Sequence, residues 1–229
     1  MDSPDIKKLM QRLRYTFDNE ELLLQALTHS SWANEHPGTR HNETLEFIGD
    51  AVLGFLVCCE LFRRFPEHDE GDLTAAKSHL VGKDNLHDIA GAIDICSFLR
   101  LGEGERKSGG EYPQSMGVNT FEALLGAVFL DGGIDEAKKV LMHVMSHQID
   151  MMRAEGIPQD PKSLLQALSL ERFGKLPVYK VETETGPDHA KEFLLNVAVP
   201  DGRSATGRGP SKKEAQKDAA RNLLKLLEG

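Results

Sequence analysis

The sequence predicts an all-α domain followed by a small α+β domain of order α-β-β-β-α. Three observations carry this prediction. Before residue 155 apolar residues recur at helical spacing, and little of the chain alternates as a strand would. Residues 154–161, Ala-Glu-Gly-Ile-Pro-Gln-Asp-Pro, have the composition of a linker. Beyond them come three alternating runs bounded by turn signals, and then one amphipathic helix. This places a first domain at 1–153, a linker at 154–160 and a second domain at 161–229.

A first helix is expected over 4–15, with Ile6, Leu9, Met10 and Leu13 as its apolar stripe and Asp5 near its start. A short helix over 19–27 follows and ends at Leu27-Thr28-His29-Ser30-Ser31. No nucleophile–base–orienter set surrounds His29 in sequence, so it reads as a hydrogen-bonding or packing histidine. Residues 33–41 read as a loop around Pro37-Gly38. A long helix then runs from about 42 to 64 and is ended by Pro66. The acidic turn at 67–74 leads into helices over about 72–83 and 84–92. Gly102, Gly104, Gly109, Gly110, Pro113 and Gly117 make much of 102–117 a loop. A helix over 118–131 is closed by Gly132-Gly133, and a last one runs to about Met152. In the second domain a helix over 160–173 precedes strands at Val178 to Glu184, Glu192 to Val199 and Ser204 to Gly207. The final helix, Ser211 to about Leu227, carries Ala215, Ala219, Ala220, Leu223, Leu224 and Leu227 on one side.

The chain has 229 residues, 40% of them hydrophobic, which supports a real core. No apolar run approaches the roughly 20 residues of a membrane span, and the start has neither a basic nor an apolar leader segment. The expectation is a cytoplasmic protein with no membrane partner. Cys58, Cys59 and Cys96 show no metal-type spacing and read as reduced core or near-core residues. The net charge of −9 argues at first against a nucleic-acid partner. Its distribution argues otherwise. From Asp160 onward there are 12 Lys and Arg against 10 Asp and Glu, while the preceding part holds 15 against 26.

One stretch concentrates the chemistry. In His41-Asn42-Glu43-Thr44-Leu45-Glu46-Phe47-Ile48-Gly49-Asp50, three carboxylates stand at spacings of three and four. On a helical wheel with Glu43 at zero, Glu46 falls near roughly 300° and Asp50 near roughly 340°. Leu45, Ile48, Val52, Leu53, Phe55 and Leu56 fall between about 120° and 280°, as a core face. Like charges at this spacing repel, and no cation stands between them. The row is either a solvated acidic edge or a divalent-cation site, for which crowded hard oxygens are the requirement. Phe47, near roughly 40°, lies off the core stripe beside the carboxylates and needs a covering partner or a nearby loop.

The run Asn42-Glu43-Thr44-Leu45-Glu46-Phe47-Ile48-Gly49-Asp50 resembles the signature of the ribonuclease III family, Asn-Glu-Arg-Leu-Glu-Phe-Leu-Gly-Asp. Leu27-Thr28-His29-Ser30, Glu70-Gly71-Asp72-Leu73-Thr74 and the run from Phe121-Glu122-Ala123 to Asp131 are similar to further family motifs, in the family's order. The second domain resembles a double-stranded-RNA-binding domain at Gly186-Pro187-Asp188-His189 and from Gly207-Arg208-Gly209 to Gln216. The resemblance implies an all-α endonuclease domain that hydrolyses double-stranded RNA with Mg²⁺, Mn²⁺ being able to substitute. The products would carry 5′-phosphates and short 3′ overhangs, and the substrates would be precursors of rRNA and of some mRNA and tRNA. It implies a metal cluster of Glu46, Asp50, Asn119 and Glu122, with Glu43 and Glu70 at its edge and Asp50 and Glu122 the residues most needed for catalysis. It also implies a homodimer in which Phe47 enters a pocket of the other subunit.

One departure stands out: the family usually has Asp where this chain has Asn119. Asn keeps a carbonyl oxygen but carries no charge. The position is either a working variant or the mark of a weakened or inactive dimer that binds duplex RNA without cutting it. In the second domain Ser211, Lys212 and Lys213 open a helix whose N-terminal amides suit phosphates. Ser163 and Gln166 on the preceding helix and His189 in the Pro187-Asp188-His189 loop would meet successive minor grooves. Ala167 and Leu170 stand where polar residues are common, which reduces the contacts expected from that helix.

Overall fold

The computed structural model describes residues 6–107, 113–157, 160–187 and 191–228. The chain divides into two compact units, Met1–Pro158 and Gln159–Gly229. The first contains α1 (Ile6–Leu13), α2 (Glu20–Ala26), α3 (Ser30–Glu35), α4 (Glu43–Arg64), α5 (Glu70–Leu80), α6 (Lys83–Ala92), a 3-10 turn at Ile95–Phe98, α7 (Glu103–Lys107) and α8 (Gln114–Glu155). The second contains α9 (Pro161–Phe173), β1 (Val178–Thr185), β2 (Glu192–Ala198), β3 (Ser204–Gly209) and α10 (Lys212–Glu228).

The first unit is built around α4 and α8. Leu45, Val52, Leu53, Leu56 and Val57 of α4 pack with Phe121, Leu124, Leu125 and Val128 of α8 in one core that also takes Leu9, Leu13, Leu23, Leu80 and Leu86. Two glycines set how closely the helices approach. A Cβ on Gly49 would overlap the Glu122 carbonyl, and one on Gly126 would overlap the Leu45 carbonyl. Only backbones without side chains can meet there. At Gly133 (φ 80°, ψ −175°) the helical course of α8 is broken, where the sequence places its Gly-Gly closure. Just before it, Asp131 accepts hydrogen bonds from the Tyr15 hydroxyl (2.7 Å) and from the backbone amides of Asp18 (3.0 Å) and Asn19 (2.9 Å). This carboxylate ties the turn before α2 to the end of the first half of α8.

Several elements depart from the sequence reading. Ala33–Glu35 belong to α3, one short helix that His29 caps through Nδ1, which accepts from the Ser31 amide. Six residues are too few to show a helical period. The helix α5 starts at Glu70, because Asp69 caps it by accepting from the Asp72 amide at 2.9 Å. The helix α8 starts at Gln114 rather than 118. Gly117 lies inside it, where a Cβ would stand 3.4 Å from both Ala90 Cβ and Cys96 Sγ, so this glycine serves packing and not a loop. Cys58 and Cys59, expected in or near the core, are exposed. Phe55, placed on the core face by the wheel, is 58% exposed.

The second unit is a three-stranded antiparallel sheet in the order β1-β2-β3. Phe193, Leu195 and Val197 of β2 alternate inward against Leu165 of α9 and Ala215, Ala219 and Leu223 of α10. A Cβ on Gly207 would overlap the backbone of Ala219, and one on Gly209 would come within 2.6 Å of the Ala215 amide. The glycines of the Gly207-Arg208-Gly209 run let α10 lie directly on β3.

Candidate functional site

The crossing that Gly49 and Gly126 permit puts the carboxylates of α4 opposite the polar residues at the start of α8. Glu46 and Asp50 project one turn apart from α4. From α8, Asn119 lies against Glu46 as a hydrogen-bond donor, and the Glu122 carboxylate shares the field of Asp50 and Glu46. Glu43 adds its charge to Glu46 from the helix start. A cleft of about 190 Å³ is lined by Glu43, Glu46 and Asn119 together with His29, Ser30 and Glu105.

The cluster is under electrostatic load. Partial burial, then Asp50 and then Glu46 push the Glu122 carboxyl up to about 7, with Lys83 opposing. Glu46 is raised by burial and by Glu43 and Asp50, while the Asn119 hydrogen bond holds it down. Two carboxyls that resist ionisation for want of a counter-charge are a fitting donor set for a hard divalent cation. Among the described residues no three His, Cys, Asp or Glu side chains stand together closely enough to hold a metal ion by themselves. The oxygen donors of Glu46, Asp50, Asn119 and Glu122 are of the chemical type a hard cation such as Mg²⁺ takes, an ion that needs few protein ligands and keeps several of its waters.

The residues singled out from the sequence are distributed as follows. Glu43, Glu46, Asp50, Asn119 and Glu122 come together at the crossing of α4 and α8. Glu70 opens α5 as an exposed residue and contributes to neither raised carboxyl. Phe47 is 81% exposed. In the second unit Ser163 is exposed and Gln166 half-buried on α9. The Ser211 hydroxyl accepts from the Glu214 amide at 3.2 Å, as the cap of α10. Lys212 and Lys213 are exposed, and the Lys212 ammonium lies 5.7 Å over the Phe193 ring. His189 lies outside the described residues.

Sequence reasoning missed Lys83, the cation nearest in effect to Glu122, and Glu105 in the cleft wall. Both stand outside the motifs, and neither belongs to a periodic pattern. Nothing in the sequence separates Lys83 from other surface lysines.

An all-helical unit with a carboxylate cluster, followed by an α-β-β-β-α unit with exposed lysines at a helix start, defines a class: a nuclease domain joined to a duplex-binding domain. The comparisons agree. A family described as Ribonuclease-III-like matches residues 19–149, and the double-stranded RNA binding motif matches residues 161–227. The chain is 42% identical to ribonuclease 3 of Carboxydothermus hydrogenoformans, over 99% of this chain and 97% of that one. It is 44% identical to ribonuclease 3 of Oleidesulfovibrio alaskensis, over 97% and 98%. A solved nuclease domain of ribonuclease III from Campylobacter jejuni, described for structural flexibility in a region involved in dimer formation, covers 64% of this chain and 99% of its own. Its TM-score is 0.59 at 34% identity. The chain belongs to the ribonuclease III family, endoribonucleases that cut double-stranded RNA.

Proposed function

We propose that the carboxylate cluster between α4 and α8 carries out Mg²⁺-dependent hydrolysis of double-stranded RNA, leaving 5′-phosphates and short 3′ overhangs. The observation that carries this is the pair of raised carboxyls, Glu46 and Glu122, brought together where Gly49 and Gly126 let two backbones touch. Glu46, Asp50, Asn119 and Glu122 would hold the cation, with Glu43 and Glu70 at the edge, and Mn²⁺ serves in place of Mg²⁺. When bound, the cation supplies charge stabilisation on the phosphoryl oxygens and activation of water for in-line attack. The chain's own part is positioning. Asn119 fixes the Glu46 carboxylate, and Lys83 tempers the charge on Glu122. The α10 start, with Lys212 and Lys213, and α9, with Ser163 and Gln166, hold the duplex, and the family resemblance adds His189 as a further RNA contact.

The working enzyme is a homodimer joined through Phe47, whose ring stands 81% exposed in the single chain. It acts in the cytoplasm on precursors of rRNA and of some mRNA and tRNA. The rival reading, a dimer that holds duplex RNA without cutting it, rests on Asn119. An amide there donates to Glu46 and adds no charge, so the cluster attracts a cation less than one with a further carboxylate would. This lowers metal affinity without removing any other donor. The test is the cleavage rate of a simple RNA duplex against Mg²⁺ concentration for the protein and for Asn119→Asp. The expected result is cleavage by both, with a midpoint about tenfold lower for the variant, a difference of about 1.4 kcal/mol. Equal midpoints contradict the role given to Asn119, and binding without cleavage at saturating Mg²⁺ establishes the rival.

A further inference from the structure

His29 lines the cleft together with Glu43, Glu46 and Asn119. Its backbone is clamped from two sides. The His29 amide donates to the Arg100 carbonyl at 3.1 Å, and the Arg100 amide donates to the Leu27 carbonyl at 2.8 Å. On the other side the Asn42 amide donates to the Thr28 carbonyl at 2.9 Å, one residue before α4 begins with Glu43. The segment that carries His29 is therefore pinned to the helix that carries the carboxylates.

The ring is held in one tautomer. The Ser31 amide donates to Nδ1 at 3.3 Å, so this nitrogen presents its lone pair and carries no proton. The Ser31 hydroxyl lies 2.8 Å from the same nitrogen and donates to it as well. The hydroxyl oxygen in turn accepts from the Gly102 amide at 3.1 Å. With Nδ1 accepting, the proton of the neutral ring sits on Nε2. Among the described residues nothing partners Nε2, Glu43 and Glu46 included. A half-buried imidazole thus brings one unspent N–H donor to a cleft whose ionised carboxylates can only accept.

We propose that His29 is a substrate contact, donating through Nε2 to a backbone phosphate of the RNA strand beside the one that is cut. This rests on the hydrolysis reading given above and adds a residue to it. An RNA strand passing an acidic cleft needs donors on the phosphates that the cation does not reach. Asn119 cannot serve, because its amide is committed to Glu46. An N–H donated to a charged phosphate oxygen is among the stronger hydrogen bonds. The bland role for His29, capping α3, uses Nδ1 alone. The two ring nitrogens therefore separate the two roles. Asn at this position keeps a good cap acceptor and has no atom that reaches as far as Nε2. Gln carries its amide nitrogen out toward the Nε2 position and is a poorer cap.

The experiment uses the full chain, with single-turnover cleavage of an RNA duplex at saturating Mg²⁺ and urea titrations for stability. His29→Asn should keep the urea midpoint and cut about thirtyfold more slowly, the loss of one hydrogen bond to a charged group. His29→Gln should lower the urea midpoint and cut within about threefold of the unaltered protein. A series of duplexes then carries one neutral methylphosphonate at each linkage flanking the cut. At one linkage this should slow the unaltered protein about thirtyfold and His29→Asn less than about threefold, because the variant has no contact there to lose. His29→Asn cutting at the unaltered rate, His29→Gln cutting more slowly than His29→Asn, or the same linkage profile for the unaltered protein and His29→Asn overturns the contact and leaves the hydrolysis reading standing. No cleavage by the unaltered protein overturns both.

Discussion

Replacing Glu122 with Gln tests whether the cluster is a destabilised anionic site waiting for a cation. The Glu122 carboxyl is raised from 4.5 to about 7 by burial, Asp50 and Glu46. Below pH 4.5 it is protonated in the folded and unfolded chain alike, and costs nothing. Between 4.5 and about 7 the unfolded chain ionises while the folded one holds its proton, so stability falls as pH rises. Above about 7 the full penalty is present. At about 1.4 kcal/mol per pH unit the rise corresponds to about 3 kcal/mol. Solvent reaches the half-buried carboxyl, which brings the expectation to about 2 kcal/mol. In urea titrations with chelator present, Glu122→Gln should therefore be about 2 kcal/mol more stable than the unaltered protein at pH 8.5 and no more stable at pH 4. Adding Mg²⁺ at pH 8.5 should stabilise the unaltered protein and leave the variant nearly unchanged. Parallel stability curves for the two proteins across this range would refute the reasoning, because Glu122 would then carry no unrelieved charge.

Three further outcomes follow from the geometry. Gly126→Ala places a methyl group on the Leu45 carbonyl, so it should cost about 3 kcal/mol in urea unfolding and reduce cleavage by spreading α4 from α8. Glu60 is buried and accepts from Arg63 at 2.6 Å and from Arg64 at 2.5 Å, while Arg64 also reaches Asp150 at 2.5 Å. The Arg63 and Arg64 guanidiniums hold its carboxyl down to about 2, so its contribution is whole above pH 4.5 and is lost as pH falls toward 2. Glu60→Gln should cost about 2 kcal/mol at pH 7 and nothing at pH 2 by chemical denaturation. Lys212→Ala should weaken duplex RNA binding and lower the slope of log affinity against log salt by about 1, read by fluorescence anisotropy at several salt concentrations.

The long helices were legible because their apolar periods are long and their ends are marked. Pro66 stands just beyond α4, and Gly133 breaks α8 where two glycines signal it. The short elements were not. Six residues of α3 and five of α7 show no period, and their definition comes from contacts distant in sequence. An example is the Glu103 amide donating to Glu35 at 3.0 Å. Phe55, Cys58 and Cys59 were misplaced toward the core because they are apolar in an apolar helix. A sequence pattern counts apolar residues but does not say which apolar face the same chain covers. The cluster itself could be proposed from the spacing of Glu43, Glu46 and Asp50, but its completion by Asn119 and Glu122 came from resemblance. Gly49 and Gly126, more than 70 residues apart, explain that completion physically only once the helices are seen to touch. Lys83 had no signal at all.

The most direct test of the account is single-turnover cleavage of a plain RNA duplex, with end-group analysis of the products, for the unaltered protein and for Glu122→Gln. The account predicts that the unaltered protein cuts only when Mg²⁺ or Mn²⁺ is added and leaves 5′-phosphates. It predicts that the variant binds the duplex as before and cuts at least about a thousandfold more slowly, a loss of roughly 4 kcal/mol in transition-state stabilisation. Cleavage by the variant at the unaltered rate, or cleavage by either protein in chelator, would contradict it.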